Sequence, residues 1–556
     1  MASKTDLVFL PLGGVGEIGM NLALYGYGTS RGRKWLMVDC GVSFAAEEHL
    51  PGIDLILPDI AFIEAERADL VGILLTHAHE DHFGALAELW PRLRVPVYAT
   101  PFTAGLLAAK LAEEHGAAEI PVEVVPLGGR FAVGPFDIEL ISVTHSIPEP
   151  NSVVIRTPAG TVLHTADWKV DPQPVVGVPF DPAPFVALGA EGVDALVCDS
   201  TNVIRDGRSP GEGDVARSLG EIIKAAENRV AVTAFASNVA RIRSVGEAAL
   251  AADRQVVVVG RAMKRVIAVA RELGLLDGLP AFLGEDGYQR LPRDKVVVLC
   301  TGSQGEPRAA LTRIAGGNHP TIELARGDMV VYSARTIPGN EREVGAVVNA
   351  LVKAGIEVVT DRTHLVHVSG HPRSDELRDM YAWVKPRAAV PVHGEALHLH
   401  EHAKLARSMG VERVIVAYNG DMVQLAPGPA GIIDEAPVGR LYKDGRVIIR
   451  ADAEAIRERR KLAFAGFVGI GVAIDERGEI ASDPQIELIG LPERTGDGEA
   501  FFELVADSVD AALDSLPRAR RRDPEALAET LRRTVRNSVQ AKWGKKPICH
   551  VFVLEV

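Results

Sequence analysis

A chain of 556 residues is too long for one hydrophobic core, so two to four domains are expected. With 47% hydrophobic and 24% charged residues it has the composition of a soluble globular protein, and no apolar run is long enough to span a bilayer. A net charge of −14 argues against a nonspecific nucleic-acid binder, but leaves room for a basic groove on an acidic surface.

The N-terminal "MASKTDLVFLPLGG" lacks the long apolar stretch of a signal peptide. Cys40, Cys198, Cys300 and Cys549 are far apart and form no CxxC pair, which reads as buried free thiols in a reducing cytoplasm. Residues 1–211 read as short strands that end on polar residues: "KWLMVDCG", "LVGILLTHAHEDH", "FDIELISVTHS", "TVLHTAD" and "DALVCDST". "GVGEIG" at 14–19 matches a dinucleotide fingerprint. That site needs a helix directly after it, and "MNLALYGYG" reads as another strand, so the glycines are expected in a turn.

From 212 to 360 strand-like "RVAVTAFAS", "QVVVVG", "KVVVLCTGS" and "DMVVYSA" alternate with helical stretches at 214–227, 239–252 and 340–354. This alternation predicts a parallel sheet with crossover helices, inserted into the first domain, because strands ending in histidine return over 361–449 in "THLVHVSGH" and "AAVPVHGE". Residues 450–465 read as a charged helical linker and 466–556 as a small α/β domain. In the latter, Val505, Val509 and Leu513 share one helical face, as do Leu527, Leu531 and Val535, with Asp523 as N-cap and Pro524 in the first turn.

"THAHEDH" places His77, His79, Asp81 and His82 within six positions. With 16 histidines in 556 positions, chance places H-x-H-x-D-H in roughly one such chain in a thousand. Imidazole and carboxylate are ligands of zinc type. Further candidates stand at other strand ends: His145 in "SVTHS", Asp167 in "HTADW" and His393 in "PVHGE", each of which alone would pass for a hydrogen-bonded polar cap.

"THAHEDH", "THS", "TADW" and "VHGE", in this order, resemble the metallo-β-lactamase fold. "CDSTN", "HVSGH" and "VHGE" resemble the motifs of β-CASP nucleases, whose extra domain is inserted into that fold. Across essentially the whole chain, "LGGVGEIGMN", "FASNVARI", "TGSQGEP" and "KKPICHVFVLEV" included, the sequence is similar to the ribonuclease J family. The resemblance implies an αββα metallo-β-lactamase sandwich with an inserted β-CASP domain and a small C-terminal domain. It also implies two metal ions, zinc with manganese or magnesium as alternatives. His77, His79 and His145 would hold one ion and Asp81, His82 and His393 the other, with Asp167 bridging and a shared water lowered in pKa.

In that reading His371 protonates the leaving oxygen and Asp199 orients it, with Asp81 also catalytic. His367, Val368, Ser369 and Gly370 approach a phosphate, and Ser237 and Asn238 contact RNA or cap a helix. Arg241, Arg243, Arg261, Lys264 and Arg265 are candidates for a positive lip or a solvated helix face. The implied activity is 5′-3′ exonucleolytic and endonucleolytic cleavage of single-stranded RNA in messenger RNA decay and ribosomal RNA maturation. The implied assembly is a cytoplasmic homodimer or homotetramer, with RNA helicase partners and no membrane association. A DNA-directed β-CASP nuclease and a noncatalytic RNA-binding subunit are the rival readings; comparing RNA with DNA oligomers, and activity with and without chelator, separates them.

Overall fold

Two sheets sandwich one core in the first part of the chain. The structure, a computed structural model, describes residues 5–44, 50–337 and 339–556; the first four residues of the stretch read for a leader lie outside the described residues. By contact the chain divides into two units, Met1–Ser43 with Leu57–Arg440 and Phe44–Ile56 with Leu441–Val556. Among the described residues no helix is long and apolar enough to cross a membrane.

In the first unit, an eight-stranded sheet runs in the order Gly431–Glu435, Asp421–Ala426, Asp6–Gly13, Leu22–Thr29, Gly32–Val38, Leu70–Leu74, Val97–Ala99 and Val122–Val124. A seven-stranded sheet runs Arg130–Val133, Phe136–Ser142, Asn151–Thr157, Gly160–His164, Ala195–Asp199, Ala388–Val392 and Arg413–Val414. Alternation along each strand sorts the side chains. Ile138, Leu140, Val153, Ile155, Val197 and Val390 meet Leu7, Phe9, Leu36, Val38 and Leu74 of the other sheet. Their neighbours Ile141, Val154, Leu196 and Ala389 pack outward against Phe185 and Leu188 of helix Ala183–Glu191, and against Leu377, Met380 and Val384 of helix Ser374–Val384.

Strand direction decides where the polar ends gather. Phe136–Ser142, Gly160–His164, Ala195–Asp199 and Ala388–Val392 all run the same way, so His145, Asp167, Asp199 and His393 emerge from one edge. In the other sheet Gly32–Val38 and Leu70–Leu74 are parallel and deliver Asp39 and His77. Ligand sites of sheets with parallel strands lie outside the carboxyl ends of those strands.

Asp199 pairs in register with Val392, although 193 positions separate them. Between these neighbours the chain builds a separate five-stranded parallel sheet, Gln255–Val259, Val296–Cys300, Val230–Thr233, Met329–Tyr332 and Glu357–Val359. Helices Glu212–Ala225, Val239–Ala251 and Glu341–Lys353 stand where the periodicity predicts them. Gly14, Gly16 and Gly19 have φ of 83°, 86° and 90°, and strand Leu22–Thr29 follows them, so the fingerprint at 14–19 is a glycine turn rather than a nucleotide site. The four cysteines are buried free thiols.

In the second unit, helix Glu454–Ala465 precedes a three-stranded sheet ordered Gln485–Ile489, Phe467–Ile474, Ile548–Glu555. Helices Phe501–Ser515 and Pro524–Trp543 cover one face. Val505, Val509, Leu513, Leu527, Leu531 and Val535 are buried against Val468, Ile470 and Val472. Asp523 caps the second helix, accepting from the amides of Glu525 and Ala526 at 3.1 and 3.2 Å.

Candidate metal centre and catalytic site

Three imidazoles converge on one point. His77 Nε2 lies 3.1 Å from His79 Nδ1, which lies 3.0 Å from His145 Nε2. The outer partners set the tautomers. His145 Nδ1 is 2.6 Å from the Gly370 carbonyl, which only accepts, so the proton is on Nδ1 and Nε2 is a bare lone pair. Thr76 donates its hydroxyl proton to Asp39 at 2.8 Å, so the same oxygen accepts from His77 Nδ1 at 3.0 Å, leaving His77 Nε2 bare as well. Burial holds the pKa of His77, His79 and His145 below the ordinary value, that of His79 at about 4. Bare nitrogens of His77 and His145 that face His79 Nδ1, with Asp167 beside them, form a donor set that fits a metal ion.

A second group adjoins the first. Asp81, His82, Asp167 and His393 bring one ligand atom each to within 4.8 Å of one another, as do His77, His79, His145 and Asp167. Asp167 belongs to both groups. His82 donates from Nδ1 to Asp39 at 2.7 Å, which turns Nε2 inward, 3.3 Å from Asp167. His393 meets the Thr201 hydroxyl through Nδ1 at 3.0 Å, and its Nε2 is buried with no hydrogen-bond partner, as is Asp167 Oδ1. Such orphaned buried atoms cost about 1–3 kcal/mol each unless something binds them. Asp39, Ala166 and His393 also hold left-handed backbone, φ 65°, 50° and 52°, a strain of about 1–3 kcal/mol each that concentrates at functional sites.

His371 stands beside these groups. Its Nδ1 is 2.8 Å from Asp199 and its Nε2 is 3.9 Å from Asp167, with the side chain 18% exposed. Burial pulls its pKa down, but Asp199 and Asp167 more than offset this and leave it raised. The loop that carries it is fixed from outside. Ser209 donates to the His371 carbonyl at 2.9 Å and Asn202 donates to Ser369 Oγ at 2.7 Å. The Glu376 carboxylate accepts from the amides of Val170, Ser209 and Arg373 at 2.8, 2.8 and 2.9 Å.

Family models match along most of the chain: Metallo-beta-lactamase superfamily over 27–232, Ribonuclease J beta-CASP domain over 227–351, Zn-dependent metallo-hydrolase RNA specificity domain over 355–417, and Ribonuclease J C-terminal domain over 454–556. Ribonuclease J of Sinorhizobium meliloti is 54% identical over 556 residues, 100% of this chain and 98% of the relative. The chain belongs to the ribonuclease J family. Ribonuclease J of Mycolicibacterium smegmatis is 40% identical over 551 residues, covering 98% of this chain and 96% of its own. A crystal structure of a protein of unknown function from Enterococcus faecalis V583 shares the fold, with a TM-score of 0.54 and 16% identity over 75% of this chain and 100% of that one. This ribonuclease J family member is thus a metal-dependent hydrolase acting on RNA, with a metallo-β-lactamase fold and a β-CASP domain.

Some predicted contacts have structural partners of their own. Asn238 is buried and caps helix Val239–Ala251, accepting from the Arg241 amide at 2.8 Å, which is the capping alternative; Ser237 beside it is half-buried. Arg241 is no part of a positive lip. It is wholly buried, paired with Glu212 at 2.9 Å and bonded to the Val366 carbonyl at 2.7 Å. Arg243, Lys264 and Arg265 are paired with Glu247, Glu285 and Glu113; Arg261 is exposed.

Positive charge gathers elsewhere. Burial, then Arg335 and Arg373, depress the pKa of Arg205; burial, then Arg241 and Arg335, depress that of His367, whose Nδ1 is buried without a partner. Arg205, Arg335 and Arg373 come from three separate loops. Asp39, Asn21, Thr76, Thr201 and Asn202 are the site residues that sequence reasoning missed. Asn21 Nδ2 stands 3.0 Å from His82 Nε2. For Asp39 a signal existed, since "KWLMVDCG" is another strand ending on a carboxylate.

Gly370 tests the packing of this wall. A Cβ there would lie 2.4 Å from His145 Nδ1 and 2.8 Å from Ser146 Oγ. Gly370→Ala is therefore expected to push the His145 ring out of the first group. Metal content should fall and activity drop about tenfold or more, as for loss of an outer partner. Metal analysis of the purified variant checks this; full metal with full activity would show that the ring has room to move.

Proposed function

We propose that the chain is a two-metal ribonuclease that cleaves single-stranded RNA from the 5′ end and also internally, with zinc, or manganese or magnesium, as its metal, in messenger RNA decay and ribosomal RNA maturation. The observation that carries this reading is the meeting of two ligand groups on Asp167, with the His371–Asp199 pair beside them. His77, His79 and His145 would hold one ion and Asp81, His82 and His393 the other, with Asp167 between. Bound ions would supply hydroxide near neutral pH and neutralise charge on the phosphate.

The chain's own groups supply the rest. Asp199 accepts the Nδ1 proton of His371, which turns Nε2 toward the reacting phosphate as proton donor to the leaving 3′-oxygen. The Ser369 hydroxyl, which accepts from Asn202, remains free to donate outward. Arg205, Arg335 and Arg373 supply positive charge for RNA phosphates, including one at the 5′ end, while His367, its pKa held well down by burial and by nearby cations, offers a neutral imidazole. Val368 is buried, so only its backbone faces the loop. Digestion of RNA labelled at either end, in 5′-triphosphate and 5′-monophosphate forms, tests the reading. Mononucleotides released from the 5′ label, faster from the monophosphate, support it; internal cuts alone remove the exonuclease half.

The second unit is proposed as a contact between copies in a homodimer or homotetramer. Its sheet is covered on one face only. On the other, Ile489 and Leu554 are 55% and 61% exposed, paired with Phe467 and Ala473 near the two ends of the central strand. Leu554→Glu with Ile489→Glu is expected to give monomers by light scattering while leaving the unit folded. An unchanged oligomer moves the contact elsewhere.

A further inference from the structure

One segment of the second unit runs against the charge of the rest of the protein. From Leu531 to Lys546 the chain carries Arg532, Arg533, Arg536, Lys542, Lys545 and Lys546 and no acid, in a protein of net charge −14. Lys542 is taken by Asp497 and Glu499, and Lys545 lies over the rings of Phe464 and Trp543. Arg532 and Arg536 are one turn apart on helix Pro524–Trp543, on the flank next to the buried Leu531–Val535 face, and both line a pocket of about 330 Å³. Lys461 of helix Glu454–Ala465 lines it from a second direction, and Ile548–Phe552 of the last strand form its floor. This volume lies within the range of small-ligand sites.

The cations in this pocket are poorly neutralised. Arg532 meets Glu529 on its own helix, an exposed pair of little energetic weight. Among the described residues Lys461 and Arg536 have no carboxylate within ion-pair distance, and Arg536 Nε is shielded from water with no acceptor. No acid lines the pocket. Burial raises the Cys549 thiol to about 11, yet Arg532 and Arg536 pull it the other way, so their potential reaches the floor. The floor is also an edge. Ile548–Glu555 pairs only with Phe467–Ile474, so amides along its free side are open donors. Guanidinium forks, an ammonium and backbone N–H groups around a space without acids are the recognition chemistry of phosphate.

We propose that this pocket is a second RNA site, in which Lys461, Arg532 and Arg536 take backbone phosphates of a strand longer than the catalytic site needs. The choice of RNA as the phosphate source rests on the ribonuclease reading. The basic run extends past the pocket to Arg533 and Lys546, which suits a polymer better than a single phosphate.

The test uses the full-length metal-loaded protein, a nuclease-resistant RNA of about 30 nucleotides, and a cleavable tetranucleotide. Lys461→Glu with Arg536→Glu is expected to weaken the long RNA about tenfold or more and to lower the slope of log affinity against log salt by about two. The milder Lys461→Gln with Arg536→Gln should shift both the same way by less, and tetranucleotide turnover should stay at the wild-type rate. Unchanged affinity and slope in both variants overturn the proposal. So does loss of inorganic phosphate or mononucleotide binding with RNA affinity intact, which would make the pocket a small-phosphate site. A changed oligomer by light scattering with RNA affinity intact also overturns it, in favour of an acidic protein face. Failure of the wild type to cut the tetranucleotide would count against the ribonuclease reading and leave the binding result to stand separately.

Discussion

Asp81→Ala is expected to bring the metal content down by one ion per chain and to lower RNA cleavage by about a thousandfold or more. A metal that neutralises charge in the transition state contributes several kcal/mol, and each 1.36 kcal/mol is tenfold in rate. Asp81 is the suitable residue because it adjoins the second group alone. Its carboxylate lies 3.4 Å from His393 Nε2 and 3.7 Å from His82 Nε2. The fold should survive. The Asp81 side chain is 31% exposed, and the backbone around it is held by bonds the substitution keeps, from the Asn21 amide to the Asp81 carbonyl and from the Cys40 amide to the His82 carbonyl. The remaining group, His77, His79, His145 and Asp167, should still bind. Elemental analysis of wild type and variant, beside a thermal melt, gives the answer. Two ions in the variant, or full activity after stripping both, would mean that Asp81 is no ligand.

How much of this was legible in the sequence depends on what kind of fact is asked for. The seven candidate ligands could be read because His77, His145, Asp167 and His393 follow strand ends, and "THAHEDH" carries the chain on to His79, Asp81 and His82, the last two in helix Glu80–Phe83. That all seven meet follows from strand direction, which periodicity does not reveal; four same-way strands were needed to bring His145, Asp167, Asp199 and His393 to one edge. Residues that act through another side chain were harder. Asp39 fixes His82 and Thr76, yet alone in sequence it is one more polar strand end. Arg241 was misplaced on the positive lip for a physical reason. Arg241 in "NVARI" and Arg205 in "NVIRDG" look alike in sequence, but one is neutralised by Glu212 29 positions away and the other faces Arg335 and Arg373. Sequence shows charge without its partner. Asn238 was open for a similar reason, since helix capping and phosphate binding recruit the same short polar residues.

His371→Ala is expected to leave metal content and RNA affinity nearly intact and to slow cleavage by roughly a hundredfold or more, the scale of a lost general acid. Asp167, Asp199, His371 and His393 also bring one ligand atom each to within 4.8 Å of one another, so metal content is the readout that separates an acid from a ligand, and the bond to Asp199 favours the acid. His371 Nδ1 is committed to Asp199 at 2.8 Å, and its Nε2 stays 3.9 Å from the nearest carboxylate oxygen of Asp167. With 18% of the side chain exposed, it is also more open than His77, His82 or His145. The decisive comparison is between leaving groups. The 3′-oxygen of a ribose departs poorly without a proton, whereas a nitrophenolate leaves unassisted. The variant's defect should therefore shrink on a nitrophenyl phosphodiester. Asp199→Asn should follow the same pattern to a smaller degree, because it loosens the imidazole without removing it. Equal slowing on both substrates would make His371 a positioning residue, and loss of metal would make it a ligand; either result would require the proton to come from another group at the site.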